Sequence, residues 1–205
     1  MRSTLTDFRR IEYRTAAEHV CAHHYSGCMP SGRNICFGWY IDGALYAVAV
    51  YGNGVNPHQA SYLSRTTGLP ITNQSYVELK RLARADKREG FPLTWFLARA
   101  HKDLRADGYR LVISFSDPAH GHAGGIYKAA NFIYAGKTKA EWHCVSSDGE
   151  FVHRRVAYRH ARRHGITIAE ARQVLDLTPT KTPQKTRWVL PLVSYNKVKQ
   201  MFKEE

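Results

Sequence analysis

Acidic residues are in short supply: 17 Asp and Glu face 30 Lys and Arg across 205 residues, a formal net charge of +13 with histidine neutral. That imbalance favours a polyanionic partner, and nucleic acid heads the class. Cysteine is also scarce. Cys21, Cys28, Cys36 and Cys144 form neither a Cys-x-x-Cys pair nor a dense frame, which argues against a zinc knuckle and a secreted disulfide scaffold. Long apolar runs are missing as well. The longest, Ala44 to Tyr51, falls far short of the roughly 20 residues a spanning helix needs, so no membrane partner is expected. Met1 to Arg10 holds no apolar signal core, and a cytoplasmic setting is expected. Apolar side chains are plentiful, at 43% of residues with 12% aromatic, enough for one good core in a chain too short for two full domains. The charge is uneven: residues 151–205 hold 12 Lys and Arg against 4 Asp and Glu, so +8 of the excess lies in the last quarter.

Hydrophobic period outlines the elements. Phe8 to Tyr13 alternates as a strand, and Thr15 to His24 brings Ala16, Val20 and Cys21 onto one helical face. Cys36–Ile41 and Ala44–Tyr51 flank Asp42-Gly43, a pair that tolerates the positive φ of a two-residue turn, so a hairpin is predicted. Residues 52–73 are polar and rich in Gly, Pro and Asn and read as a surface excursion. Ser75–Leu82 resumes strand alternation with Val77, Leu79 and Arg81 on one face. Phe91–Arg105 carries a helical stripe of Leu93, Phe96, Leu97, Ala100 and Leu104, and Tyr109–Phe115 reads as a buried strand. Strand, helix, strand implies a parallel crossover, which puts the loop Ser116–Gly125 at a strand's carboxyl end, where ligand sites collect. A short helix over 126–131 and the strand Phe132–Gly136 follow. Thr167-Ile-Ala-Glu170 has capping-box spacing, 176–186 reads as a connector, and Pro191 predicts an edge or closing strand for Trp188–Val193.

Several side chains could carry chemistry. His23, His24, Asp117, His120, His122 and Tyr127 supply nitrogen and oxygen donors that suit iron(II), whose frequent ligand set is two His and a carboxylate. Asp117 before Pro118 equally reads as a turn cap, and His24 as a helix-end histidine. The guanidinium of Arg81 offers a fixed donor fork for an anion or an acyl oxygen, or is a plain strand charge. His153 to His164 holds Arg154, Arg155, Arg159, Arg162 and Arg163 with no acid, which points to contact with a phosphate backbone. Tyr40, Tyr62 and Trp142 can stack on an extruded base or serve the core.

The element order, strand, helix, long hairpin, strand, helix, strand, helix, strand, resembles the GNAT acyltransferase fold. Tyr127-Lys-Ala-Ala-Asn-Phe132 keeps the Tyr-to-Phe offset of that family's Tyr-x-x-x-Gly-Phe, with Asn131, which also tolerates left-handed backbone, in place of glycine. Ser116-Asp-Pro-x-x-Gly-His-x-Gly-x-Ile-Tyr-x-Ala-x-Asn-Phe-x-Tyr-x-Gly136 is similar to the signature of phage Mom-type DNA-modification proteins, a divergent GNAT branch. His23-His24-Tyr25-Ser26 with Pro30, Glu78-Leu79-Lys80-Arg81-Leu82, and a weaker echo in Lys185-Thr-Arg-Trp-Val189 support it.

The resemblance implies an α/β chain: a GNAT-like mixed central sheet flanked by helices as the catalytic domain over 1–150, and a basic C-terminal extension with a closing strand over 151–205, packed on the same domain. It further implies transfer of a small acyl-derived, carbamoylmethyl-type group to N6 of adenine in phage DNA, shielding it from restriction. The partner would be double-stranded DNA with the adenine flipped or locally opened, and the setting a host bacterial cytoplasm. His24, Asp117 and Tyr127 are the iron ligands so implied, Tyr127 also the general acid, and Arg81 the residue that binds or orients the donor. One departure stands out. Asp86–Pro92 replaces the phosphate-cradling Arg/Gln-x-x-Gly-x-Gly/Ala, and its single glycine leaves fewer amides for a pyrophosphate, so acyl-CoA use stays open even with Lys87 and Arg88 to compensate. A small-molecule or peptide N-acetyltransferase and a non-catalytic DNA-binding protein remain the alternatives, and a homodimer stays open.

Overall fold

The computed structural model describes residues 5–54, 56–87 and 89–202. They form two compact units. One takes in the described residues of Met1–Ser116, Gly124–Gly136 and Arg187–Glu205, and the other takes in Asp117–Ala123 and Lys137–Thr186. The chain therefore leaves the first unit and returns to it, a division that follows tertiary pairing and not the composition shift at residue 150.

The first unit is a seven-stranded sheet: β1 (Thr6–Arg10), β2 (Asn34–Ile41), β3 (Ala44–Gly52), β4 (Tyr76–Arg84), β5 (Leu111–Ser116), β6 (Ile133–Lys137) and β10 (Thr186–Pro191), in the order β1-β2-β3-β4-β5-β10-β6. β1 to β4 pair antiparallel and β4 pairs parallel with β5, so the sheet is mixed. Asp42 and Gly43 take φ of 50° and 81°, the mirror-image turn the hairpin requires. Helices cover both faces. α1 (Tyr13–His23) buries Ala16 and Val20 against Val48, Val50 and Ala83, while Cys21 stays exposed. α3 (Leu93–Ala106) buries Phe96, Leu97, Ala100 and Leu104 against Val77, Leu79 and Val112, completing the expected β4-α3-β5 crossover.

Three expectations need correction. Residues 52–73 are not a bare excursion: Gln59–Thr67 forms α2, whose Gln59, Ala60, Leu63 and Thr67 are buried. The strand around Trp188 lies between β5 and β6, not at an edge, because Pro191 is its last residue and its missing N–H falls at the ladder's end. Val77, Leu79 and Arg81 do not share a face, for Leu82, not Arg81, packs with Val77 and Leu79. A β-bulge on β4 is the cause.

The second unit holds a three-stranded sheet of β8 (Phe151–Val152), β7 (Trp142–Ser146) and β9 (Leu177–Lys181), with α5 (Arg155–His164) and α6 (Ile168–Val174). Thr167 and Glu170 form the expected capping box at α6, whereas the predicted connector contains β9, paired along β7. No helix among the described residues is long and apolar enough to cross a membrane.

Candidate active site

The parallel pairing of β4 with β5 is short. It joins Tyr76, Val77 and Glu78 to Leu111, Val112 and Ile113, although β4 runs on to Arg84 and β5 to Ser116. On its other side β4 bulges at Lys80: Tyr51 faces Leu79, and Val50 faces Arg81. A bulge bends its strand and adds twist. β4 thus turns away just beyond its last pairing with β5, and the sheet opens at the carboxyl ends of the two strands.

Side chains stitch that opening. Ser114 Oγ on β5 lies 2.9 Å from the Leu79 carbonyl and 2.9 Å from Tyr127 Oη. One hydroxyl proton serves two acceptors, so it turns to Leu79 while Tyr127 is a phenol and to Tyr127 once a phenolate forms. Burial holds the Tyr127 phenol above its ordinary pKa, and Tyr25 and Glu78 push the same way against the Ser114 hydroxyl. Tyr127 therefore carries its proton at neutral pH. Beside it, Tyr51 is wholly buried and its hydroxyl has no hydrogen-bond partner among the described residues.

Local sequence aims Tyr127. It lies in α4 (Gly125–Ala129), and Asn131 just past that helix has φ 62°, the left-handed position expected of it. The Tyr127 ring stacks on Trp188 at 5.8 Å and meets Phe132 edge-on at 5.4 Å. Trp188 Nε1 donates to Ser116 Oγ at 2.9 Å, locking the indole. Gly124, φ +82°, lies so close under that indole that a Cβ would run into it. Gly124→Ala is expected to lower stability by about 2–4 kcal/mol through overpacking and backbone strain, read as a drop in denaturation midpoint.

His24 and Arg81 lie in the same unit as Tyr127. Ser26 N–H donates to His24 Nδ1 at 3.1 Å, which puts the neutral ring's proton on Nε2. Arg81 Nε donates to the Cys28 carbonyl at 3.1 Å and Nη1 to the Lys80 carbonyl at 2.8 Å. Lys80 Nζ donates to Ser31 O at 3.1 Å. The two basic side chains at the bulge thus strap the loop that follows α1 onto β4.

Asp117 belongs to the second unit. Its Oδ1 accepts from Ala119 N–H at 3.1 Å, capping the 3-10 turn Pro118–His120, and its Oδ2 pairs with Lys185 Nζ at 2.8 Å. Burial alone would raise its pKa, but Lys185 and the Ala119 amide outweigh it and the net shift is downward. The cap and the ion pair accordingly hold at neutral pH and weaken only as pH falls through that lowered value.

These arrangements bear on the implied iron. Both Asp117 oxygens are engaged within the second unit and His24 Nδ1 is engaged by Ser26 in the first, so a metal held through those atoms would displace these bonds. Among the described residues no group of three or more His, Cys, Asp or Glu comes together to hold a metal ion. No step of the chemistry is routed through iron.

Other predicted residues divide. Lys87 is exposed, and Arg88 lies outside the described residues. Tyr40 sits under the Arg9 guanidinium at 4.4 Å, and Tyr62 accepts from Arg187 at 2.7 Å, so both serve the fold. Trp142 is exposed in the second unit, as are Arg154, Arg155, Arg159, Arg162 and Arg163, with Ala157 and Ala161 facing inward from α5. Arg154 precedes the helix and pairs with Glu141 at 3.7 Å, an acid the linear stretch does not show. His120 and His122 are exposed in the second unit. Ser114, Glu78, Trp188 and Lys185 escaped the sequence reading as site residues. The segments Glu78–Leu82 and Lys185–Val189, quoted for the resemblance, held three of them.

Known proteins share this architecture. The ribosomal-protein-S18-alanine N-acetyltransferase from Escherichia coli matches with a TM-score of 0.52 at 12% identity, covering 92% of this chain and 94% of that one. An N-acetyltransferase from Staphylococcus aureus Mu50 matches with a TM-score of 0.51 at 14% identity, covering 92% and 99%. At such identities the likeness shows the fold, and the fold is that of the GNAT acetyltransferases. Methylcarbamoylase mom of Escherichia phage Mu is 27% identical over 132 residues, 63% of this chain and 52% of the relative, so the match spans about half the relative's length. The model of the Mom protein family matches residues 6–204, nearly the whole chain, and the chain belongs to that family.

Proposed function

We propose that this chain is a transferase that places a small carbamoylmethyl-type group on N6 of adenine in double-stranded DNA, altering the base so that restriction enzymes no longer cut there. The observation that carries the reading is the Tyr127–Ser114 pair at the opening between β4 and β5, in a member of a family that includes a methylcarbamoylase. The donor enters the opening, where two strand edges are free of each other. The adenine amine attacks the donor carbon, a nitrogen–carbon bond forms, and the bond to the leaving group breaks. Tyr127 gives its proton to the leaving group as Ser114 turns to donate to the phenolate. Glu78, whose charge is felt at Tyr127, takes the proton the amine sheds, and solvent returns one to Tyr127.

The exposed arginines of the second unit supply affinity for phosphate, and N6 is reached by extruding the adenine, because the amine lies inside the base stack. The test is mass spectrometry of nucleosides from DNA of cells making the protein. A deoxyadenosine adduct with the mass of a carbamoylmethyl group is expected. Unmodified DNA, or acetylated small amines in its place, overturns the reading.

A further inference from the structure

An extruded base needs a surface to rest on, and the first unit, which holds Tyr127, offers one. Four of its aromatic side chains are markedly exposed: Tyr13, Tyr25, Trp95 and Tyr134. Trp95 lies against Trp39 at 4.9 Å, and Tyr134 packs on Trp188 at 6.0 Å. Tyr13 opens α1. Tyr25 differs. It is 55% exposed, and its ring lies 4.3 Å from the His24 ring, tilted by 32°. His24 is itself fixed, since Nδ1 is bound by both the backbone N–H and the hydroxyl of Ser26.

The loop beyond is fixed in turn. The one Ser26 hydroxyl proton is shared between His24 Nδ1 at 2.8 Å and the Cys28 carbonyl at 3.2 Å, the same carbonyl that receives Arg81 Nε. Arg81 lies two residues past Leu79, whose carbonyl receives Ser114 at the opening. Tyr25 thus stands on a loop strapped to β4 two residues past the carbonyl at the opening.

We infer that Tyr25, backed by His24, is the stacking platform for the extruded adenine, and that Arg81 is a positioning residue that holds the platform's loop. Stacking on an aromatic face suits a planar purine and keeps the exocyclic amine at the base's edge, free for attack. The inference rests on the adenine reading and adds to it the side chain that receives the base.

The experiment uses full-length protein and plasmid DNA with two readouts. Nucleoside mass spectrometry reports product. Permanganate reactivity of thymines reports the unpaired partners of extruded adenines without requiring transfer. Tyr25→Ala should lower both about 5- to 150-fold, the range for one lost base–aromatic stack, with plasmid affinity at low salt unchanged. Tyr25→Phe and Tyr25→Trp should keep both near the parent, since each retains a flat face, and Arg81→Lys should lower both less than Tyr25→Ala because charge survives but the fork does not. Parental product and thymine reactivity in folded Tyr25→Ala sink the platform and leave the adenine reading standing. A parent protein that makes no modified adenine sinks both together.

Discussion

Tyr127→Phe should leave a folded protein that binds DNA as the parent does but modifies adenine about 10²- to 10⁴-fold more slowly, the usual worth of a positioned acid. The ring keeps its stack on Trp188 and its edge contact with Phe132. Ser114 keeps the Leu79 carbonyl as an acceptor, and only the long 3.4 Å bond from Tyr127 to the Phe115 carbonyl is lost. What vanishes is the proton. The pH profile gives a second handle: burial holds the Tyr127 pKa above the ordinary phenol value of about 10, so the acid is loaded throughout the neutral range and is lost only as pH rises through that raised value. Ser114→Ala removes the donor that favours the phenolate. It should slow transfer and move the alkaline limb further up, whereas a merely structural serine would leave the limb in place. Modification at the parental rate by folded Tyr127→Phe removes the tyrosine from the chemistry.

Replacing Arg155, Arg159, Arg162 and Arg163 together by alanine should cost affinity for every DNA sequence alike. Each phosphate contact contributes about 0.9 to the slope of log affinity against log salt, so four lost contacts flatten it by about 3.6. Between 50 and 200 mM salt the parent's affinity should then fall about 150-fold more than the variant's, measured by fluorescence anisotropy on a labelled duplex. The helix should survive, because its inward residues are Ala157 and Ala161 and alanine favours helix over arginine. Arg154→Ala alone should flatten the slope by no more than about 0.9, one contact's worth, since Arg154 lies off the helix and pairs with Glu141 at 3.7 Å. An unchanged slope in the fourfold variant would place the DNA path elsewhere on the protein.

The sequence by itself determined what depends on neighbours in the chain. Asp42-Gly43 sets the β2–β3 turn through backbone conformations open to those two residues. Thr167 and Glu170 cap α6 across a single turn. The stripe from Phe96 to Leu104 marks the buried face of α3, and Asn131 takes the left-handed position that ends α4. Tyr127 was legible as a candidate site residue for the same reason, since its offset from Phe132 is a local pattern.

Only the tertiary structure decided the rest. The bulge at Lys80 leaves no period in the sequence, because an extra residue is defined only against the partner strand, yet it turns Arg81 off the face of Leu79 and opens β4 from β5. Ser114 looked like any residue of a buried strand until Tyr127, thirteen positions on, met its hydroxyl. Asp117 found Lys185, Arg154 found Glu141, and Trp188 was drawn between β5 and β6 across long stretches of chain. Long-range pairings such as these form when burial makes an unpaired charge or strand edge costly, and that cost depends on what surrounds a residue in space, which its immediate neighbours in the chain do not record.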